Sequence, residues 1–166
     1  MNLLVNILSA IGLLALAACS SSPPWSGRDV SDCSVSIRRT PCFGTCPVYE
    51  MTISGSGAVE FTGVNFVQFT GSHTAQIPVD SVRALIHQIE TGGWFDLRGE
   101  YTDRSMSDSP TVHTTVTVGK RTKTVEHYAG DMSAPAILKV IEQRIDDIGG
   151  AARFIGLGMA PKEPKD

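Results

Sequence analysis

The sequence predicts an α+β domain: an antiparallel sheet of about five to six strands in two hairpin groups, with two helices packed on one face, in the order strands, helix, strands, helix. Three observations predict it. Residues 35–38 and 48–53 alternate apolar and polar side chains with the period of half-buried strands. Two later segments change to the helical period. No strict β-α-β alternation joins them, so parallel crossovers are not expected.

Taken in order, Gly55-Ser56-Gly57 turns the chain after 48–53 and residues 58–62 return it, a hairpin. Residues 65–70 (Asn-Phe-Val-Gln-Phe-Thr) are rich in aromatic and β-branched side chains and are expected to continue the meander as a strand. Over 78–91, Val82, Leu85, Ile86 and Ile89 fall at i, i+3, i+4 and i+7, one stripe of an amphipathic helix that Gly92-Gly93 ends. Asp80 is placed to cap its start. Trp94, Phe95 and Leu97 are expected to pack back onto the core. A polar loop over 101–110 leads to a second hairpin, 111–118 and 122–128, around Gly119-Lys120. The second helix, 134–148, has the stripe Ile137, Leu138, Ile141, Ile145 and Ile148, with Pro135 in its first turn, where a missing N–H costs nothing.

The ends of the 166-residue chain speak to address. Residues 3–18 form an uncharged apolar run, short for a membrane span and placed where an export signal belongs. It closes in Leu16-Ala17-Ala18-Cys19, which resembles the bacterial lipobox. That resemblance implies a signal peptide over 1–18, removed so that Cys19 becomes a lipidated N-terminus. Ser20 rather than Asp follows, which implies sorting to the outer membrane with the domain facing the periplasm. Residues 19–33 then read as lipidated cysteine and flexible linker, 34–149 as one domain, and 150–166 as a polar C-terminal tail. The membrane is thus a partner through the lipid. The formal charge of −3 gives no footprint for nucleic acid.

Four histidines invite a metal reading. In the second hairpin, the register that gathers Val112, Val116, Val118 and Val125 on one face also places His127 there and turns His113 to the other face. The two cannot share an ion without exposing the valines. His73, His87, His113 and His127 are all expected as surface or strand-edge residues.

The densest motif is Arg39-Thr40-Pro41-Cys42-Phe43-Gly44-Thr45-Cys46-Pro47-Val48-Tyr49. In an oxidising compartment Cys33, Cys42 and Cys46 allow one internal disulfide and one leftover thiol. Chain entropy slightly favours Cys33–Cys42, roughly 3 kcal/mol against roughly 2 for Cys42–Cys46. Local concentration and the flanking prolines favour Cys42–Cys46, and Gly44 supplies the turn. Cys42-x-x-x-Cys46-Pro47 also resembles the copper motif of the Sco assembly factors, which implies a metal site of Cys42, Cys46 and a histidine, His127 or less well His113. Here, however, Pro47 leads into a strand pattern, where the Sco motif opens a helix.

The same loop, with the following strand, Gly55-x-Gly57, Tyr101 and Asp108-x-Pro110-Thr111, resembles the bacterial family catalogued as domain of unknown function 6438. The resemblance implies a small α+β domain, often exported, with no established activity. No nucleophile elbow, phosphate-cradling loop or paired zinc spacing occurs, and no cofactor is expected. Asp103 and Asp108 are expected to cap turns. The sequence therefore favours a non-catalytic envelope domain that binds a protein partner, with Arg38, Arg39, Phe43 and Tyr49 as the possible contact surface. A periplasmic thiol-redox or copper-binding protein is the alternative.

Overall fold

A computed structural model describes residues 23–156. The signal segment, Cys19 and the tail from Leu157 lie outside the described residues. Strands β1 (Cys33–Arg39), β2 (Val48–Ser54), β3 (Ala58–Asn65) and β4 (Gly71–Gln76) form an antiparallel meander. Helix α1 (Val79–Thr91) follows, then a 3-10 turn at Trp94–Asp96 and a short β5 (Glu100–Tyr101). Strands β6 (Thr111–Val118) and β7 (Arg121–Tyr128) make the second hairpin, and helices α2 (Ala136–Gly149) and α3 (Ala151–Ile155) end the described chain.

The seven strands form one sheet in the order β4-β3-β2-β1-β6-β7-β5. Each neighbouring pair is antiparallel except β5 with β7. The α+β class and the two hairpin groups agree with the expectation. The counts differ: the sheet has seven strands where about five to six were expected from the turn signals, and three helices stand where two were expected.

One face of the sheet carries the core. Val35, Ile37, Met51, Ile53, Val59, Phe61, Val112, Val116 and Val125 alternate inward and join Val82, Leu85, Ile86, Ile89, Leu138, Ile141 and Ile145 from the helices in one cluster. The α1 stripe read from the sequence is buried throughout; of the α2 stripe, Leu138, Ile141 and Ile145 are buried and Ile137 and Ile148 partly so. Trp94 is fully buried, as its apolar neighbours suggest. The opposite face is polar, with Thr115 on Thr124 at 2.8 Å and Thr117 on Thr122 at 3.0 Å between hydroxyls.

Two glycines mark close approaches. A Cβ on Gly55 would stand 1.7 Å from the Val30 carbonyl oxygen, so the segment before β1 crosses this turn only because no side chain is there. A Cβ on Gly149 would stand 2.4 Å from Met51 Cε, so the end of α2 lies directly on β2.

Four local expectations are corrected. Residues 65–70 are not a strand: β3 runs on to Asn65, and Phe66, at φ +52°, turns the chain so that β4 begins only at Gly71. Asp80 does not cap α1. Pro78 is the N-cap without a side-chain bond, and Asp80 pairs with Arg83 at 2.6 Å instead. β5 overlaps the start of the expected polar loop at Tyr101, its two residues placed by pairing with β7 and not by any pattern of their own. The stretch expected to begin a polar tail at Gly150 instead forms α3, whose Ala151 and Phe154 are buried, with Phe154 stacked on Phe61 at 4.5 Å between centroids.

Candidate functional site

The site is built where β1 ends and the cysteine loop begins. Thr40 anchors the root of the loop to β6: its N–H donates to the Thr111 carbonyl at 3.0 Å, and its Oγ1 accepts from the Thr111 N–H at 2.8 Å. Cys42 and Cys46 are joined as a disulfide, with Cα atoms 5.8 Å apart. Gly44, at φ +148°, lets its N–H reach the Cys42 carbonyl at 3.0 Å. Phe43 at the tip is 88% exposed. Cys33 is a buried free thiol at the opposite end of β1. Seven extended residues hold it roughly 20 Å from the loop, which excludes the Cys33–Cys42 link. Burial first, and the Asp32 carboxylate second, push the Cys33 thiol above its usual pKa, so it is a poor nucleophile.

Strand register places Tyr49, Arg39, Val112 and His127 opposite one another in a row across β2, β1, β6 and β7. This row lies under α2, which presents two carboxylates one helical turn apart. Asp146 takes the first pair: Arg39 Nη2 donates to Oδ2 at 2.6 Å, and the Tyr49 hydroxyl donates to Oδ1 at 2.7 Å. Arg39 Nε also donates to the Tyr49 oxygen at 3.0 Å, closing a triangle. Glu142 takes the second, 2.9 Å from His127 Nδ1.

The electrostatics fit a structural clamp. Burial works against the Arg39 charge, yet Asp146 and Tyr49 outweigh it and hold the guanidinium above its usual pKa. Burial and then Asp146 push the Tyr49 phenol well above its usual value, so it stays a protonated donor. Tyr49 also stacks on Phe61 at 5.3 Å.

The four residues expected to form one contact surface therefore separate. Arg38 and Phe43 are exposed. Arg39 and Tyr49 are spent on Asp146, and Tyr49 is a core residue at 2% exposure. The histidine expectation also needs correction. The register is as read, with Val112 opposite His127 and His113 opposite Glu126. His127, however, is buried and hydrogen-bonded to Glu142, because the valine face it shares is the one α2 covers. Its Nε2 has no partner among the described residues. A copper site would need both sulfurs as thiolates. Here the sulfurs are bonded to each other. His87 stacks on Trp25 at 5.1 Å, and His73 sits 2.9 Å from the Thr70 carbonyl. Asp103 and Asp108 serve local turns, accepting from the Ser105 N–H and the Ser107 hydroxyl at 2.9 Å each.

Two clefts flank the loop root. One of about 420 Å³ lies on the helix side between Pro47, Arg39, Gln143, Asp147 and Ala152. The other, of about 200 Å³, lies on the open side between Arg38, Pro41, Val48, Thr62 and Val64. The neighbouring end of β3 and the β3–β4 turn add exposed Val64, Phe66 and Phe69 to Phe43, and Phe66 holds its positive φ at a cost of order 1–3 kcal/mol. Sequence reasoning missed Phe66 and Phe69 as surface residues because the aromatic and β-branched composition of 65–70 suggested a strand; Val64 was not singled out. The positive φ had no glycine to announce it.

The family described as Domain of unknown function (DUF6438) matches residues 33–149, well over half of the chain. The chain belongs to the DUF6438 family. No curated protein matches it. The DUF6438 match begins at the first residue of β1 and ends at the last residue of α2, so it contains the disulfide loop, the Arg39–Tyr49–Asp146 triangle and the His127–Glu142 pair. Helix α3 lies just beyond it.

Proposed function

We propose that this DUF6438 protein is a lipid-anchored envelope domain, held through Cys19 at the outer membrane and facing the periplasm, that acts by binding a protein partner and not by catalysis. The anchor rests on Leu16-Ala17-Ala18-Cys19. The binding reading rests on one observation: Phe43 stands 88% exposed on a loop closed by Cys42–Cys46. An apolar aromatic ring held in water by a covalently fixed backbone loses little entropy on contact, which is what an interface anchor needs. Exposed Arg38 and the exposed apolar side chains of the β3–β4 turn extend the same end of the sheet. The groups that would do chemistry there are already engaged: the sulfurs with each other, and Tyr49 and Arg39 with Asp146.

A photo-crosslinking residue at position 43, irradiated in intact cells, should give a discrete adduct with an envelope protein. The same residue at Thr122, on the open face of β7, should not. Equal labelling at both positions, or none at position 43, would defeat the binding assignment. The anchor is tested separately by mass spectrometry of the parent from the membrane fraction, which should show a chain that starts at Cys19 and carries acyl groups. Membrane retention without an acyl mass would refute the tether and leave the contact surface unaffected.

A further inference from the structure

The two edges of the sheet are finished differently. At one edge β5 is only two residues long, carries Glu100, and runs into a polar loop, the usual way of blunting an edge. At the other edge β4 is six residues long, contains no charged residue and no proline, and pairs with β3 without a register shift. Ser72, Thr74 and Gln76 are exposed. The Ile77 N–H donates to the Gly57 carbonyl at 2.9 Å. Since backbone direction alternates along an antiparallel ladder, Ala75 and His73 also face β3, while Ser72, Thr74 and Gln76 direct their N–H and C=O groups outward. Among the described residues nothing accepts them.

We infer that β4 is a self-association edge, pairing antiparallel with β4 of a second copy of this chain about a two-fold axis at Thr74. Two observations and one rule of strand geometry argue for a second copy as the occupant. An isologous strand pair places every residue near its own mate, so any charge near the axis would meet its like. β4 itself carries no Asp, Glu, Lys or Arg on a chain of net charge −3, and the nearest charges, Glu60 opposite Thr74 in β3 and Arg153 on the helix side, are set back from the pairing edge. Opposed residues must also share a face of the sheet, which restricts the axis to a residue and not a gap between residues. Centred on Thr74, the register sets Thr74 opposite Thr74 and Ser72 opposite Gln76, so all the outward-facing residues exchange hydrogen bonds. Finally, an open cavity of about 320 Å³, lined by Phe69, His73, Thr74, Arg153 and Phe154, borders this edge on the helix side. In the same register small Ala75 of the second copy falls opposite His73, leaving Phe69, now 40% exposed, room to be covered. One strand pair of this length falls short of the roughly 1,200 Å² of a standard interface, so the dimer is expected to be weak and concentration-dependent.

The test is sedimentation velocity of the full chain carrying Cys19→Ser, in detergent, over a concentration series. The parent should shift from monomer to dimer as concentration rises. Thr74→Lys and Thr74→Glu, both on an exposed side chain, should each weaken association by about tenfold or more. An equimolar mixture of the two should restore it, and Thr122→Lys should leave it unchanged. A parent that stays monomeric throughout overturns the inference. So does a dimer indifferent to both Thr74 substitutions, and one lost with Phe43→Ser instead would place association at the loop end. A parent that dimerises only after removal of residues 157–166 would mean that the chain's own C-terminal segment occupies the edge, which also overturns it.

Discussion

Removing the Asp146 carboxylate tests whether the polar triangle under α2 is what fixes the root of the cysteine loop. Arg39 and Asp146 retain 21% and 12% of their side-chain exposure, so the pair is mostly but not fully withdrawn from water. Breaking a buried pair by deleting one partner costs about 3–5 kcal/mol, because the remaining charge is left without compensation. The residual exposure lets water reach Arg39, which sets the expected cost of Asp146→Ala at the lower end, about 3 kcal/mol. Tyr49 simultaneously loses the acceptor of its hydroxyl proton, 2.7 Å away in the parent. Replacing the whole triangle by apolar groups of similar volume removes every unmatched polar atom. The triple variant Arg39→Met, Tyr49→Phe, Asp146→Leu is therefore expected within about 1 kcal/mol of the parent. Urea unfolding followed by circular dichroism, with a common slope for all variants, measures both differences. A loss below about 0.5 kcal/mol for Asp146→Ala, in the range of an exposed pair, would refute the reasoning. A triple variant as unstable as the single one would refute it equally.

Three further outcomes follow from the same structure. Replacing Cys42 and Cys46 together by serine should cost about 2 kcal/mol, the chain entropy of closing so short a loop, and reductant should lower the melting temperature of the parent but not of this variant. Phe154→Ala should cost about 3–5 kcal/mol through its stack on Phe61, measured by thermal unfolding; a loss under about 1 kcal/mol would mean that α3 is not part of the folded unit. Glu90 is bonded by the Arg28 guanidinium, which holds its carboxyl below the usual range, so its contribution is fully present above the ordinary unfolded value of about 4.3 and is lost as pH falls through the lowered folded one. Glu90→Gln should therefore flatten the acid limb of the stability profile below about pH 4, and an unchanged limb would contradict this.

The candidate site was only half legible in advance. Periodicity located both helical stripes and both hairpins because burial of one face imposes its period on the local sequence. It also placed His127 on the valine face, but it could not say that α2 would cover that face and bring Glu142 to the ring. Arg39 and Asp146 are separated by 107 positions, and no local pattern links them. Arg39 and Tyr49 consequently looked like surface charge and surface aromatic area. The Phe66 turn misled for the opposite reason: its β-branched and aromatic neighbours have strand propensity, and pairing of β3 with β4 overrode it.

By itself the sequence determined what depends on composition and short spacing. That covers the apolar run over 3–18 ahead of Cys19, the α+β order, the apolar stripes of α1 and α2, and a five-residue loop in which Cys42 and Cys46 can meet. Tertiary structure alone decided which polar side chains are withdrawn from water, that no strand among the described residues pairs with the outer edge of β4, and that Phe43 projects while Tyr49 does not. Those outcomes depend on which elements come to lie against each other, and such contacts join residues far apart in the chain, where local propensity carries no information.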